Sequence, residues 1–223
     1  MSPILLSLTV GLTATAISLP PGILVSWILE RTRWPGRGLL HVLVLLPLVL
    51  PPVVTGYLLL KMFSPNAGLG RFLQDAGMPV AFHWLGAVVA AAVVGFPLLV
   101  LSVTLSMKAI DPRMEIVSRS LGRSPGSTFW RVTLPLSWPG ILAGSVLSFA
   151  RGLGEFGATI IVAGRLPKET ETIPLAIYSA MEVPGGEERI GALVAASFII
   201  CVAAVFAARA LDSWHRRRLE LNR

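Results

Sequence analysis

Apolar residues along this chain gather into long runs instead of alternating with polar positions. Five runs are long enough to cross a hydrocarbon core, which takes roughly 20 helical residues: about Pro3 to Leu29, Leu39 to Met62, His83 to Met107, Pro135 to Val162 and Ile190 to Leu211. Lipid offers backbone groups no hydrogen-bond partners, so each run is predicted to be a helix. Prolines are expected to break up the first two, at Pro20-Pro21 and at Pro47 with Pro51-Pro52. Such kinks lie either beside a transport pathway or in ordinary packing, and the pattern leaves both open. The fourth run carries Gly152, Gly154 and Gly157 and is the one most open to being broken or re-entrant. No internal repeat or second domain is visible, so residues 1–223 read as a single transmembrane domain.

Composition removes the soluble alternative. Of 223 residues 54% are hydrophobic and 14% charged, with a mean hydropathy of +0.73, far from an ordinary globular domain. The segment Met1 to Gly22 has no positive stretch ahead of its apolar residues, which predicts a retained helix and not a cleaved signal. The one cysteine, Cys201, allows no intrachain disulfide and no thiolate pair for zinc or redox chemistry within a subunit.

The net charge of +7 does not point to nucleic acid, because the basic residues fall in the gaps between apolar runs. One side collects thirteen: Arg31, Arg33, Arg37, Lys108, Arg113, Arg119, Arg123, Arg131, Arg209, Arg216, Arg217, Arg218 and Arg223. The other holds five, Lys61, Arg71, Arg165, Lys168 and Arg189, beside the acidic Glu169, Glu171, Glu182, Glu187 and Glu188. That asymmetry places the carboxyl terminus and the loop of about 108–134 in the cytoplasm, and five crossings then place the amino terminus outside.

Within that loop, Asp111 suits the cap of a helix starting at Pro112, and Gly122 suits its left-handed end. Met114, Val117 and Leu121 form an apolar stripe on it. A second short helix is predicted over Ser127 to Thr133, bearing Phe129 and Trp130. Exposed aromatic residues beside small and basic ones suit either a partner's groove or the lipid headgroups.

Gly122, followed after nine residues by Val132-Thr-Leu-Pro135, resembles the cytoplasmic motif of ABC importer permeases, in which a Glu-Ala-Ala triplet precedes the glycine. Here the triplet position reads Ile116-Val117-Ser118, with the nearest acid, Glu115, one place early. Leu46-Pro-Leu-Val-Leu-Pro-Pro-Val-Val-Thr-Gly-Tyr-Leu-Leu-Leu60, Ser148-Phe-Ala-Arg-Gly-Leu-Gly-Glu-Phe-Gly-Ala-Thr159 and Thr172-Ile-Pro174 through Pro184-Gly-Gly-Glu187 resemble the molybdate permease subunits, and the Gly-Glu-Phe-Gly-Ala-Thr run is also close to the sulfate permeases. The resemblance covers nearly the whole chain. It implies an all-α type I ABC importer permease fold in the bacterial inner membrane, a homodimer, two cytoplasmic ABC ATPase subunits and a periplasmic molybdate-binding protein. It also implies alternating access driven by ATP and Mg bound to the ATPase, with no cofactor on this chain. Glu115, Arg119, Gly122, Arg123, Ser124, Phe129 and Trp130 are the expected docking residues, with Leu134 and Pro135 setting the start of the next helix. Sulfate and tungstate are alternative cargoes. In keeping with this, the chain has no glycine-rich Lys-Ser/Thr phosphate loop.

Arg151 and Glu155 lie four apart in the fourth run and are expected to pair, either as a brace near a gate or as a structural ion pair. Ser102, Ser145, Ser148 and Thr159 are candidate donors along an anion pathway, with Thr104 beside them and Thr55 and Ser197 as weaker ones. The Gly140 to Gly144 spacing allows close helix approach, at a subunit interface or within the chain. No catalytic set is present, and His41, His83 and His215 lack the spacing of metal ligands. A self-sufficient channel or secondary transporter would need charged relays in several runs, and only one intramembrane pair is present.

Overall fold

The computed structural model describes the backbone of residues 1–167 and 169–221, with side chains as far as Ser213. The expectations placed on Lys168 and on the side chains of His215, Arg216, Arg217, Arg218 and Arg223 lie outside the described residues. The described residues fold entirely into helices joined by short turns. Among the described residues three helices are long and apolar enough to cross a membrane, and two sharply bent pairs raise the number to five if each pair is one span.

The first helix, α1 (Pro3–Arg31), starts where Ser2 accepts a hydrogen bond from the Leu5 amide at 3.3 Å. It passes through Pro20 and Pro21 without a break, contrary to expectation. Residues Leu6, Val10, Ala14, Ser18, Gly22 and Ser26, each four apart, are all buried. Gly22 comes so close to the central helix that a Cβ there would sit 2.8 Å from Leu99 Cδ2. That seam, with Ser26 Oγ 3.1 Å from the Val100 carbonyl, packs α1 on α5 just past the point where the prolines remove amide donors.

The second run does break. α2 (Arg37–Val49) contains Pro47 and ends at Leu50, and α3 (Pro52–Phe63) leaves at 112° to it. Leu50 and Pro51 each precede a proline and are extended, with ψ of 141° and 134°, as steric pressure from the following ring demands. After the short α4 (Gly68–Asp75), α5 (Trp84–Lys108) runs through the centre of the molecule. Ala87, Ala90, Val94, Leu99, Val103 and Met107 along it are all but completely buried. α1 and α9 (Trp138–Leu153) both pack on α5 and also touch each other, Gly11 of α1 lying against Phe149 of α9.

Glycines make the α5–α9 seam. Gly95 meets Ser148, Gly144 meets Leu99 and Ser102, and Gly140 meets Ser102 and Ser106. The Gly140 to Gly144 pair therefore packs within the chain. A Cβ at Gly140 would collide with Ser106 and lie 2.8 Å from the Ser102 carbonyl oxygen. Gly140→Leu is expected to destabilise the protein by about 1–3 kcal/mol, read as a lower thermal midpoint in detergent. Gly191→Leu, where an added Cβ meets nothing within 4 Å, should not lower the midpoint.

α10 (Gly157–Val162), α11 (Ile173–Met181) and α12 (Glu187–Leu221) complete the chain. α12 packs on α11 and α9 and leaves Phe198, Ile199 and Phe206 exposed. That is an acceptable surface only in lipid. The turn after α10 is tied to the end of α11 by Arg165 and Glu182, 2.6 Å apart. The hydrogen bond from Arg165 draws the Glu182 carboxyl below its ordinary range and raises the guanidinium. Water screens this exposed pair.

Candidate coupling loop and gate

The loop after α5 forms a compact two-part unit. α6 (Pro112–Ser120) is capped by Asp111, whose Oδ1 accepts from the Arg113 amide at 2.9 Å. It closes with Gly122 at φ 81°, where the Gly122 amide donates to the Arg119 carbonyl and the Arg123 amide to that of Ser118. This is the double hydrogen bond of a glycine-terminated helix end. Ser124 then accepts from the Ser127 amide and starts α7 (Pro125–Thr128). The predicted helix at Ser127 to Thr133 is a composite: α7, a π turn over Phe129–Thr133, and the single turn α8 (Leu134–Leu136). The loop helices meet α9 at a 66° bend at Ser137, two residues after Leu134-Pro135.

Inward and outward faces are sharply distinguished. Ser118 is buried, with its hydroxyl 3.0 Å from that of Thr128, which joins α6 to α7. Phe129, expected on the surface, instead packs edge-on against Trp27 of α1, with ring centroids 5.8 Å apart, and joins the cluster of Leu99, Met107 and Ile141. Glu115 also turns inward, accepting from Arg31 Nε at 2.9 Å and from Thr133 Oγ1 at 2.8 Å. Outward lie Met114, Ile116, Val117, Leu121 (75% exposed) and Trp130 (68% exposed), beside Arg119, Arg123 and Ser124. Five large apolar side chains thus crown a loop outside the apolar spans.

The fourth run is broken where its glycines cluster. α9 ends at Leu153, and α10 starts at Gly157. Glu155, 3% exposed, spans the gap: Oε2 accepts from Arg151 at 2.7 Å, and Oε1 accepts from the Ala158 amide at 2.8 Å. The pair is formed as expected, and the carboxylate, one position before the N-cap residue Phe156, in addition satisfies an amide of the first turn of α10. This break meets the other one. A Cβ at Gly157 would lie 2.8 Å from Pro52, and one at Gly56 would lie 2.8 Å from the Ala158 backbone.

The hydroxyls are less available than their placement in the sequence suggested. Ser102 donates to the Gly140 carbonyl at 3.0 Å, and Ser145 to that of Ile141 at 2.7 Å. Ser148 and Thr159 are buried, Ser148 against Gly95. Ser145 lines an apolar groove of about 570 Å³ between α1, α9 and α12, not a polar passage. Arg31, Thr133 and Thr128 are the participants that sequence reasoning missed. Arg31 counted only as a topological charge, and nothing local linked it to Glu115.

The structure is a helical membrane domain with a braced, apolar-faced loop between its third and fourth spans. The chain belongs to the family described as binding-protein-dependent transport system inner membrane component, which matches residues 22–220. More particularly, it is 44% identical over 221 residues to the molybdenum transport system permease protein of Haemophilus influenzae, covering 99% of this chain and 95% of that one. The corresponding protein of Escherichia coli K12 is 45% identical over 215 residues, covering 96% and 92%. A sulfate transport system permease protein of Salmonella typhimurium is more distant, at 36% over 201 residues, covering 89% and 71%. Among solved structures, a methionine ABC transporter in inward-facing conformations shares the fold, with a TM-score of 0.75, 16% identity and coverage of 96% of this chain and 94% of that one. The fold is thus that of an ABC importer permease, a subunit type that is not itself an enzyme.

Proposed function

We propose that two copies of this chain form the membrane pathway of an ATP-driven molybdate importer in the bacterial inner membrane. Two ABC ATPase subunits dock on the cytoplasmic loops, and a periplasmic binding protein delivers the anion on the opposite side. The amino terminus is then periplasmic and the carboxyl terminus cytoplasmic, as the thirteen-to-five distribution of basic residues favours. ATP and Mg are handled by the ATPase alone. Closure of the nucleotide subunits moves the loops and switches the helices between outward-open and inward-open states. The break at Gly154 to Phe156, held by Arg151 and Glu155 against the break at Pro51-Pro52, is the gate in this reading. Its polar neighbours Ser148 and Thr159 lie beside it, while Ser102 and Ser145 serve helix packing.

The carrying observation is the outer face of the loop. Met114, Ile116, Val117, Leu121 and Trp130 form an exposed apolar patch with arginines at its edge, the composition of an interface core and rim. The test is co-purification from mild detergent of the natural sequence and of Gly122→Asp. At φ 81° with no atom within 4 Å of an added Cβ, aspartate brings backbone strain of about 1–2 kcal/mol without a clash, so the protein stays folded while the loop end shifts. An ATPase retained by the natural sequence and lost by the folded variant supports the reading. If none is retained by either chain, and the purified protein passes ions in liposomes without ATP, the protein is a stand-alone channel. Import assays with molybdate, tungstate and sulfate then rank the cargoes.

A further inference from the structure

The most elaborate side-chain network in the loop joins it to the far end of a transmembrane helix. Arg31, the last residue of α1, donates from Nε to Glu115 of α6 at 2.9 Å and from Nη2 to the Met107 carbonyl at the end of α5 at 2.7 Å. The same Glu115 oxygen accepts from Thr133 at 2.8 Å, so one carboxylate joins α1, α6 and the turn leading into α9. One turn back along α1, Trp27 lies edge-on to Phe129. Arg31 and Glu115 each keep only about 15% of their side-chain surface exposed. In so dry a setting a charge-assisted pair with a planar, several-pronged donor is stiff as well as strong.

α1 is a 29-residue helix, about 43 Å long, and its opposite end is also tied. Ser7 accepts the first amide of α11 from Ile173 at 2.7 Å. α11 in turn presents Tyr178 to Phe156, with ring centroids 5.3 Å apart, inside the break between α9 and α10. A continuous rod therefore connects the loop on one side of the protein to the broken helix on the other.

We propose that Arg31 is a positioning residue that clamps the docking loop to α1, so that the two move as one body and α1 carries the loop's displacement to α11 and the break. The proposal rests on the permease reading above. Neither Arg31 nor Glu115 lies on the outer docking face, so the clamp acts after the ATPase is bound.

The experiment uses the full complex of permease, ATPase and binding protein in liposomes, reading oxyanion imported per ATP hydrolysed. Arg31→Ala and Glu115→Ala are expected to retain the ATPase as well as the natural sequence does, yet import per ATP should fall by about 5-fold or more, the lower bound of ordinary coupling between sites. Glu115→Gln, whose amide oxygen still accepts from Arg31 and Thr133, should keep the natural ratio. An unchanged ratio in both alanine variants overturns the proposal. So does loss of the ATPase from both, which would make the pair part of the docking surface.

A second measurement does not depend on the folding of the alanine variants. Cysteines at positions 27 and 129, in a chain with Cys201→Ser, are bridged by a short bifunctional thiol reagent and compared with the same chain capped by a monofunctional one. Equal import by the two samples fits a loop and helix that travel together, and a stall on bridging overturns that. If the natural sequence itself recruits no ATPase, the permease reading fails, and this is seen before any variant is scored.

Discussion

Glu155→Ala is expected to lower stability by about 3 kcal/mol and to abolish import while leaving the ATPase docked. Two losses coincide. The Ala158 amide, buried at the start of α10, would have no acceptor, and Arg151 would have no counter-charge. An orphaned amide costs about 1–3 kcal/mol, and breaking a buried ion pair about 3–5. Arg151 keeps 32% of its side-chain surface exposed and can turn toward water, so most of the ion-pair cost is not incurred and the total falls to about 3 kcal/mol. Glu155→Gln separates the parts, since its amide oxygen still accepts from the Ala158 amide while the full charge is gone. Its thermal midpoint should fall between those of the natural sequence and the alanine variant. A midpoint for Glu155→Ala equal to that of the natural sequence would contradict a bracing role.

Trp130→Ala should weaken ATPase binding by about 2 kcal/mol or more, some 30-fold, as removal of a large aromatic anchor from an interface core does. The neighbouring Phe129→Ala supplies the contrast. Its ring contacts Trp27 and sits among Met107, Leu134 and Ile141. Truncation there should cost about 3 kcal/mol of stability. Titration of detergent-solubilised permease with ATPase subunit, beside thermal unfolding of the free permease, distinguishes the two. Trp130→Ala should move the first measurement and leave the second, because 68% of its surface is free in the isolated chain. Equal affinity for the Trp130 variant and the natural sequence would remove this residue from the interface.

Which parts of this structure were legible depended on how far apart the interacting residues lie. Asp111 with Pro112 and the left-handed Gly122 act over one helical turn, and the first loop helix begins and ends where these residues predict, whereas the second starts at Pro125, two residues before the expected Ser127. Arg151 and Glu155 are four apart, and their pairing followed from helical spacing. Proline was read less well. A break between helices falls at Pro51-Pro52 as expected, whereas α1 continues through Pro20-Pro21, where Ser18, Gly22 and Ser26 are buried. Phe129 and Trp130 are adjacent, so nothing in their order says which enters the core. The π turn that carries them sends Phe129 toward Trp27, a residue 102 positions earlier in the chain.

The sequence by itself determined that this is a helical membrane protein with five apolar spans, a charged asymmetry between its faces and a capped loop between its third and fourth spans. Hydropathy, charge in loops and helix capping are sums over neighbouring residues, and any reader of the chain can perform them. The tertiary structure alone decided that Glu115 belongs to Arg31, 84 residues away, that the helix break at Pro51-Pro52 lies against the one at Gly157, and that Gly140 and Gly144 face α5. In lipid every span is apolar on all sides, so composition cannot say which face meets protein. Close approach at small residues and the pairing of otherwise unsatisfied polar groups make that choice, and both exist only once distant segments have come together.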